Sequence, residues 1–298
     1  MSSTAPIPNR WLAEPARYAP WFVALAGFAA LYVPVYWWAA NTIWQTDEHA
    51  YGAIILVVVT WLFWGVRKKL LDAPAEPAPA LGWPIFGFGL LMYLTGRIFN
   101  ISIFEFASQI FVVGGLLLLL RGRPALQMAW FPVLYFVFMV PQPGVLVDAL
   151  TGPLKGWIAA IVETLLYAVG YPIARSGVII SIGQFQLQVA DACSGLNSMF
   201  SLFALGTLFM FIMSRKSRLH NAIMLAAIVP IAFAANIVRV IILVLLTYYF
   251  GDEAGQGFLH GAAGMALMVV ALLILFVLDA LLASVIRPRA PAGEAAGR

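Results

Sequence analysis

Charge is what this chain of 298 residues has least of: Lys, Arg, Asp and Glu together make up 10% of it, against roughly 25% in a typical soluble domain. Hydrophobic residues make up 63%, so a water-soluble globule is excluded. A bilayer accepts apolar side chains on the outside of every helix and accommodates such a composition. Cysteine is nearly absent too. The single Cys193 excludes an intramolecular disulfide and any cysteine-cluster metal site. Net charge is only +4, with no basic patch of the kind that grips nucleic acid, so nucleic acid is not an expected partner. The spacing of His, Asp and Glu shows no metal-ligand pattern, and no cofactor is expected.

What the sequence does have is long apolar runs. They fall at about Trp21 to Trp38, Tyr51 to Val66, Leu81 to Leu94, Ile103 to Leu120, Ala125 to Val140, Leu196 to Met213, Ala222 to Phe250 and Phe258 to Ile286. The expected fold is therefore an all-α polytopic membrane protein with about eight transmembrane helices. Trp and Tyr edge several runs, as rings at headgroup level do. Arg10 and Arg17 precede the first run without a clean small-residue cleavage site, so the first run reads as an uncleaved span. Threading eight spans with the N-terminus inside puts thirteen of the 17 Lys and Arg residues on the cytoplasmic side; only Arg97, Lys155, Arg175 and Arg239 fall outside or within the membrane. Both termini are then cytoplasmic.

One stretch, 141–195, does not fit as a span. A single crossing there would flip every later basic loop to the wrong side, so the amphipathic segment Val145 to Val169, interrupted by Gly152-Pro153, Lys155 and Glu163, is expected on or re-entrant into the outer leaflet. From Gly177 to Ala190 the sequence alternates polar and apolar around Gly183, the period of a β-hairpin. Strands cannot lie naked in lipid, so this insertion should form a small extracytoplasmic cap of helix plus hairpin. The organisation read from sequence is one membrane domain over 1–286 carrying the 141–195 insertion, then a flexible cytoplasmic tail over 287–298. Leu71 to Ala80, LDAPAEPAPA, is an extended cytoplasmic connection.

Ionisable groups inside a membrane are functional candidates by default. Arg239 lies deep in an apolar run, with Asn236 three residues earlier on the same helical face. Counting helix rise from the basic loop near His220 puts Arg239 near the outer boundary. Cys193, with Ser194 as a rival nucleophile, sits just before the sixth run, where unpaired backbone N–H groups would favour a thiolate. His260 opens the last run from the same side. A thiol, an imidazole and a guanidinium on one face make a plausible acyl-transfer set. His220 reads as a solvated loop residue beside Arg215, Lys216 and Arg218, His49 as an outer-loop residue beside Asp47 and Glu48, and Glu105, Glu163 and Asp279 as interfacial or polar-stripe acids. The residues alone leave open two other readings: a multi-pass transporter using Arg239 to bind an anion, and an assembly protein of envelope polysaccharide export.

Ala192-Cys-Ser-Gly-Leu196, the approach to it from Gly170, Asn236-Ile-Val-Arg239-Val and His260-Gly together resemble, in order and spacing, the exosortase/archaeosortase family of membrane cysteine transpeptidases. The resemblance implies a bacterial inner-membrane enzyme, its site facing the periplasm, whose partners are membrane-anchored proteins with a C-terminal sorting signal: a Pro-Glu-Pro type (PEP-CTERM) motif, a transmembrane helix and a basic tail. It implies Cys193 as nucleophile, His260 as general acid/base and Arg239 as the oxyanion or substrate-orienting group, with Ser194 and Asn236 in support. Family members often carry His-Gly in the first outer loop; here His49 is separated from Gly52, and no role is carried onto it.

Overall fold

In lipid every backbone N–H and C=O must find its partner inside the protein, and uninterrupted apolar sequence does this as helix. The computed structural model describes residues 10–46, 49–142, 144–188, 196–215, 217–251 and 258–285, and it is mostly helical with one small sheet. The chain divides into two compact units, 1–141 and 142–298.

The first unit holds α1 (Arg10–Asn41), α2 (Tyr51–Asp72), α3 (Pro79–Phe99), α4 (Ser102–Leu120) and the short helices α5 (Arg123–Met128) and α6 (Trp130–Tyr135), followed by a 3-10 turn at Phe136–Met139. The connection between α2 and α3 is shorter than the composition suggested, because α2 runs on to Asp72 and α3 starts at Pro79. The fifth apolar run is not one continuous helix. Pro132 has no N–H to give and its ring crowds the carbonyl of Met128, four residues back, and Met128 is where α5 stops.

Helices α3 and α4 pack closely as an antiparallel hairpin. Asn100, in the left-handed conformation at φ 54°, ends α3, and the Ile101 N–H bonds back to the Gly96 carbonyl. The close approach rests on glycines. A Cβ at Gly89 would lie 2.8 Å from the backbone nitrogen of Val112, and one at Gly115 would lie 2.6 Å from that of Phe86. Small residues let helix backbones meet in a membrane, where no hydrophobic effect pushes helices together. Several polar groups inside this unit are paired. Tyr32 Oη lies 2.7 Å from Ser108 Oγ, the Tyr36 hydroxyl donates to Gln109, and buried Glu105 faces Arg97 at 3.6 Å. Glu105 is thus a buried, ion-paired acid rather than an interfacial one.

The second unit begins with α7 (Gly144–Ala168), which runs through Pro153 without a break. Strands β1 (Ile173–Ser176), β2 (Ile179–Ile182) and β3 (Phe185–Gln188) form an antiparallel sheet in that order. The single hairpin expected around Gly183 is therefore the second of two. Gly177 and Gly183 occupy the first turn position of the two-residue connections, with φ of 62° and 57°, a conformation that only glycine adopts cheaply. Ile173, Ile180, Ile182 and Leu187 turn inward onto Ile158, Val162 and Leu166 of α7, and Arg175, on the same face opposite Ile180, pairs with Glu163 of α7 at 3.0 Å. Three long helices complete the unit: α8 (Leu196–Met213), α9 (Arg218–Phe250) and α10 (Phe258–Val285).

Among the described residues four helices are long and apolar enough to cross a membrane: Ala19–Gln45, Ser102–Leu120, Arg218–Phe250 and Met268–Val285. Trp130–Met139 and Phe200–Met213 are shorter apolar helices.

The glycine contacts yield a direct test. Gly89→Val should lower stability by about 1–3 kcal/mol, because Val112 backbone cannot move aside. Gly87→Val, on the same helix with open space around it, should change little; thermal unfolding of the detergent-purified protein reads both.

Candidate active site

Helix α9 carries the one buried arginine among the described residues. Its buried stripe runs Met224, Ile228, Ala232, Asn236, Arg239, Val240, Leu243, Val244 and Thr247, the 3-to-4 spacing of a single helix face. The first part of that stripe packs with Leu202 of α8 and with Ala271 and Leu275 of α10. The last part packs with α7 and the sheet. Asn236 (5% exposed) and Arg239 (6% exposed) sit where one apolar cluster gives way to the other, and both are engaged within the fold. A guanidinium stays protonated in any protein environment and offers five donors in a plane, so this seam holds a permanent positive charge.

At the other end of α9 a polar cluster ties three helices together. His220 Nε2 lies 2.7 Å from Asp279 Oδ1, and Arg215, in the turn between α8 and α9, donates to Asp279 Oδ2 at 2.6 Å. His220 is 2% exposed and Asp279 3%, which corrects the reading of both from sequence: neither is a solvated or interfacial group. The apolar helices bring them together, and each supplies the other's missing hydrogen bond. The hydrogen bond to Asp279 also raises the pKa of Arg215 above its ordinary value. Ser217 caps α9 by accepting from the His220 N–H, which explains why the helix starts here.

These contacts fix the register of the antiparallel helices. Nineteen residues along α9 from His220 is Arg239, and nineteen residues back along α10 from Asp279 is His260. Each count is about 28 Å of helix rise, so the two backbones come level. For α8 the marker is Gly206, whose missing Cβ makes room for Ile228 of α9. Ten residues from that contact, about 15 Å, lie Leu196 at the start of α8 and Val238 beside Arg239. The start of α8, Arg239 and the first turn of α10 with His260 thus share one level of the bundle. Cys193 and Ser194 lie outside the described residues, in the stretch 189–195 between β3 and α8. Among the described residues no three His, Cys, Asp or Glu side chains group as metal ligands would.

The fold and this level define a multi-helix membrane protein in which a small sheet and a buried arginine meet at one end of a helical bundle. Its sequence matches the family described as transmembrane exosortase (Exosortase_EpsH) over residues 37–277, more than half of the chain. The chain belongs to the transmembrane exosortases, a family of cysteine transpeptidases. No curated protein and no solved structure matches it significantly.

Sequence reasoning passed over the Asp279 cluster. The available signal was a lone acid in an otherwise apolar helix, which needs a buried partner or a polar surface. Replacing Asp279 with Asn should lower stability by about 3 kcal/mol, since it strands a buried histidine and a guanidinium together. Arg215→Gln should cost much less, because that side chain is 40% exposed. Comparing the two unfolding midpoints decides whether the buried histidine pair, rather than the exposed one, carries the register.

Proposed function

We propose that this exosortase is a bacterial inner-membrane cysteine transpeptidase that cleaves PEP-CTERM type C-terminal sorting signals. Cys193 is the nucleophile, His260 the general acid/base, and Arg239 the group that steadies charge on the scissile carbonyl. The observation that carries this reading is the shared level of Arg239, the backbone of His260 and the start of α8. Cys193 is three residues before α8, a covalent reach of about 10 Å at most.

In this scheme the Cys193 thiolate attacks the scissile carbonyl carbon, and the carbonyl oxygen becomes an oxyanion beside Arg239. His260 delivers a proton to the departing amine as the C–N bond breaks, releasing the helix-and-basic-tail peptide. The remaining acyl group is a thioester, which an amine or water then resolves as His260 takes up a proton. Asn236, less than one turn before Arg239 on the same face, orients the guanidinium. Ser194 supplies a neighbouring hydroxyl. In the proposed topology of eight spans with both termini cytoplasmic, the site faces the periplasm. The substrate's basic tail then stays inside while its motif stands outside, within reach of the thiol.

The test is co-expression, in a host lacking such enzymes, of a reporter ending in a Pro-Glu-Pro sorting signal. Cys193→Ala should abolish processing. His260→Ala should slow it by about 10²–10⁴-fold and Arg239→Ala by about 10²–10³-fold. Processing by Cys193→Ala at the wild-type rate would overturn the nucleophile assignment. Gel mobility of the reporter reads every case.

A further inference from the structure

Between α1 and α2 of the first unit the structure leaves a cleft of about 540 Å³. Leu25 and Phe28 of α1 and Leu56 and Phe63 of α2 form its walls, with Leu117 of α4 and Phe136 beneath. Its polar lining is small and mostly committed. Tyr36 donates to Gln109 and Thr60 donates to the Leu56 carbonyl. Arg67 is the exception. Its guanidinium stacks 3.6 Å from the centre of the Trp64 ring and donates to the Trp64 carbonyl, contacts that hold it at one end of the cleft. Among the described residues no carboxylate pairs with it. Exposed Lys68 and Lys69 follow on α2, and Asp72 and Glu76 are the next acids along the chain.

From this we infer that the cleft binds an anionic glycerophospholipid, one acyl chain lying along α2 and the phosphate on Arg67. Two observations select that occupant. From Arg67 inward to Leu56 is eleven residues, about 16 Å of helix, which is close to half of a hydrocarbon core of roughly 30 Å. An acyl chain of one leaflet has that depth; a transmembrane helix needs the whole thickness. Charge makes the second choice. Basic pockets between membrane helices recruit anionic headgroups, whereas Arg67, Lys68 and Lys69 would repel the basic tail of a sorting-signal helix. The cleft is confined to the first unit, and the inference stands independently of the proposed chemistry.

Native mass spectrometry of the full-length, detergent-purified protein with equimolar phosphatidylglycerol and phosphatidylcholine tests it. One phosphatidylglycerol should be retained in preference. Arg67→Gln should weaken that retention about fivefold, and Thr60→Trp, which fills the cleft, should remove it. Lys68→Gln, outside the cleft, should change it less than Arg67→Gln, and inorganic phosphate should not compete. Equal retention of the two lipids, or retention indifferent to both Arg67→Gln and Thr60→Trp, would overturn the inference. So would a photo-crosslinker at position 60 that traps a sorting-signal helix instead of lipid.

Discussion

A single carboxylate sets the geometry of the second unit. Asp279 accepts from His220 at the start of α9 and from Arg215 in the turn before it. Helices that are apolar all round slide past one another at little cost, because lipid and leucine are equally good neighbours. A buried polar contact removes that freedom, since any other register leaves a charge without a partner in a medium of low dielectric. The contact lies at one end of the helices and the candidate site at the other. Rigid helices of equal count, nineteen residues on each side, carry the register across.

The same logic explains where Arg239 sits. A buried guanidinium is costly inside either apolar cluster, but at the changeover from the α8–α10 packing to the α7–sheet packing the lining is discontinuous and polar groups can gather. Below that level the bundle is apolar down to the His220–Asp279 pair; above it the sheet closes over α9 with Ile180, Ile182 and Leu187. The sheet matters for another reason. β3 ends at Gln188 and α8 begins at Leu196, and Cys193 is one of the seven residues between them.

Much of this was legible from the residues. Apolar runs marked where the helices would be, because nothing else satisfies a backbone in lipid. Alternation about Gly183 announced a hairpin, though the equivalent signal at Gly177, six residues earlier, merged into it. Arg239 and Asn236 stood out as polar residues in apolar company. What stayed hidden was pairing across distance. Nothing local to His220 indicates that an acid 59 positions later will cover it, and a histidine amid Arg and Lys looks solvated. Nor does composition reveal that Gly89 and Gly115 face backbone rather than lipid. The break after Met128 has a local signal in Pro132, which the continuous hydropathy of the run hides. Cys193 and its neighbour Ser194 are legible only through motif order, and their proposed roles rest on that order and on chain reach.

Helices α8, α9 and α10 bring the start of α8, three residues after Cys193 in sequence, level with the backbone of His260. Cysteine cross-linking in the membrane measures this directly, because Cys193 is the chain's own single thiol. In His260→Cys, mild oxidation should join the introduced thiol to Cys193, detected as a disulfide-linked peptide pair by mass spectrometry. In Met268→Cys, eight residues or about 12 Å deeper along α10, it should not. A link at position 268 with none at position 260 would contradict the register and, with it, the site built upon it.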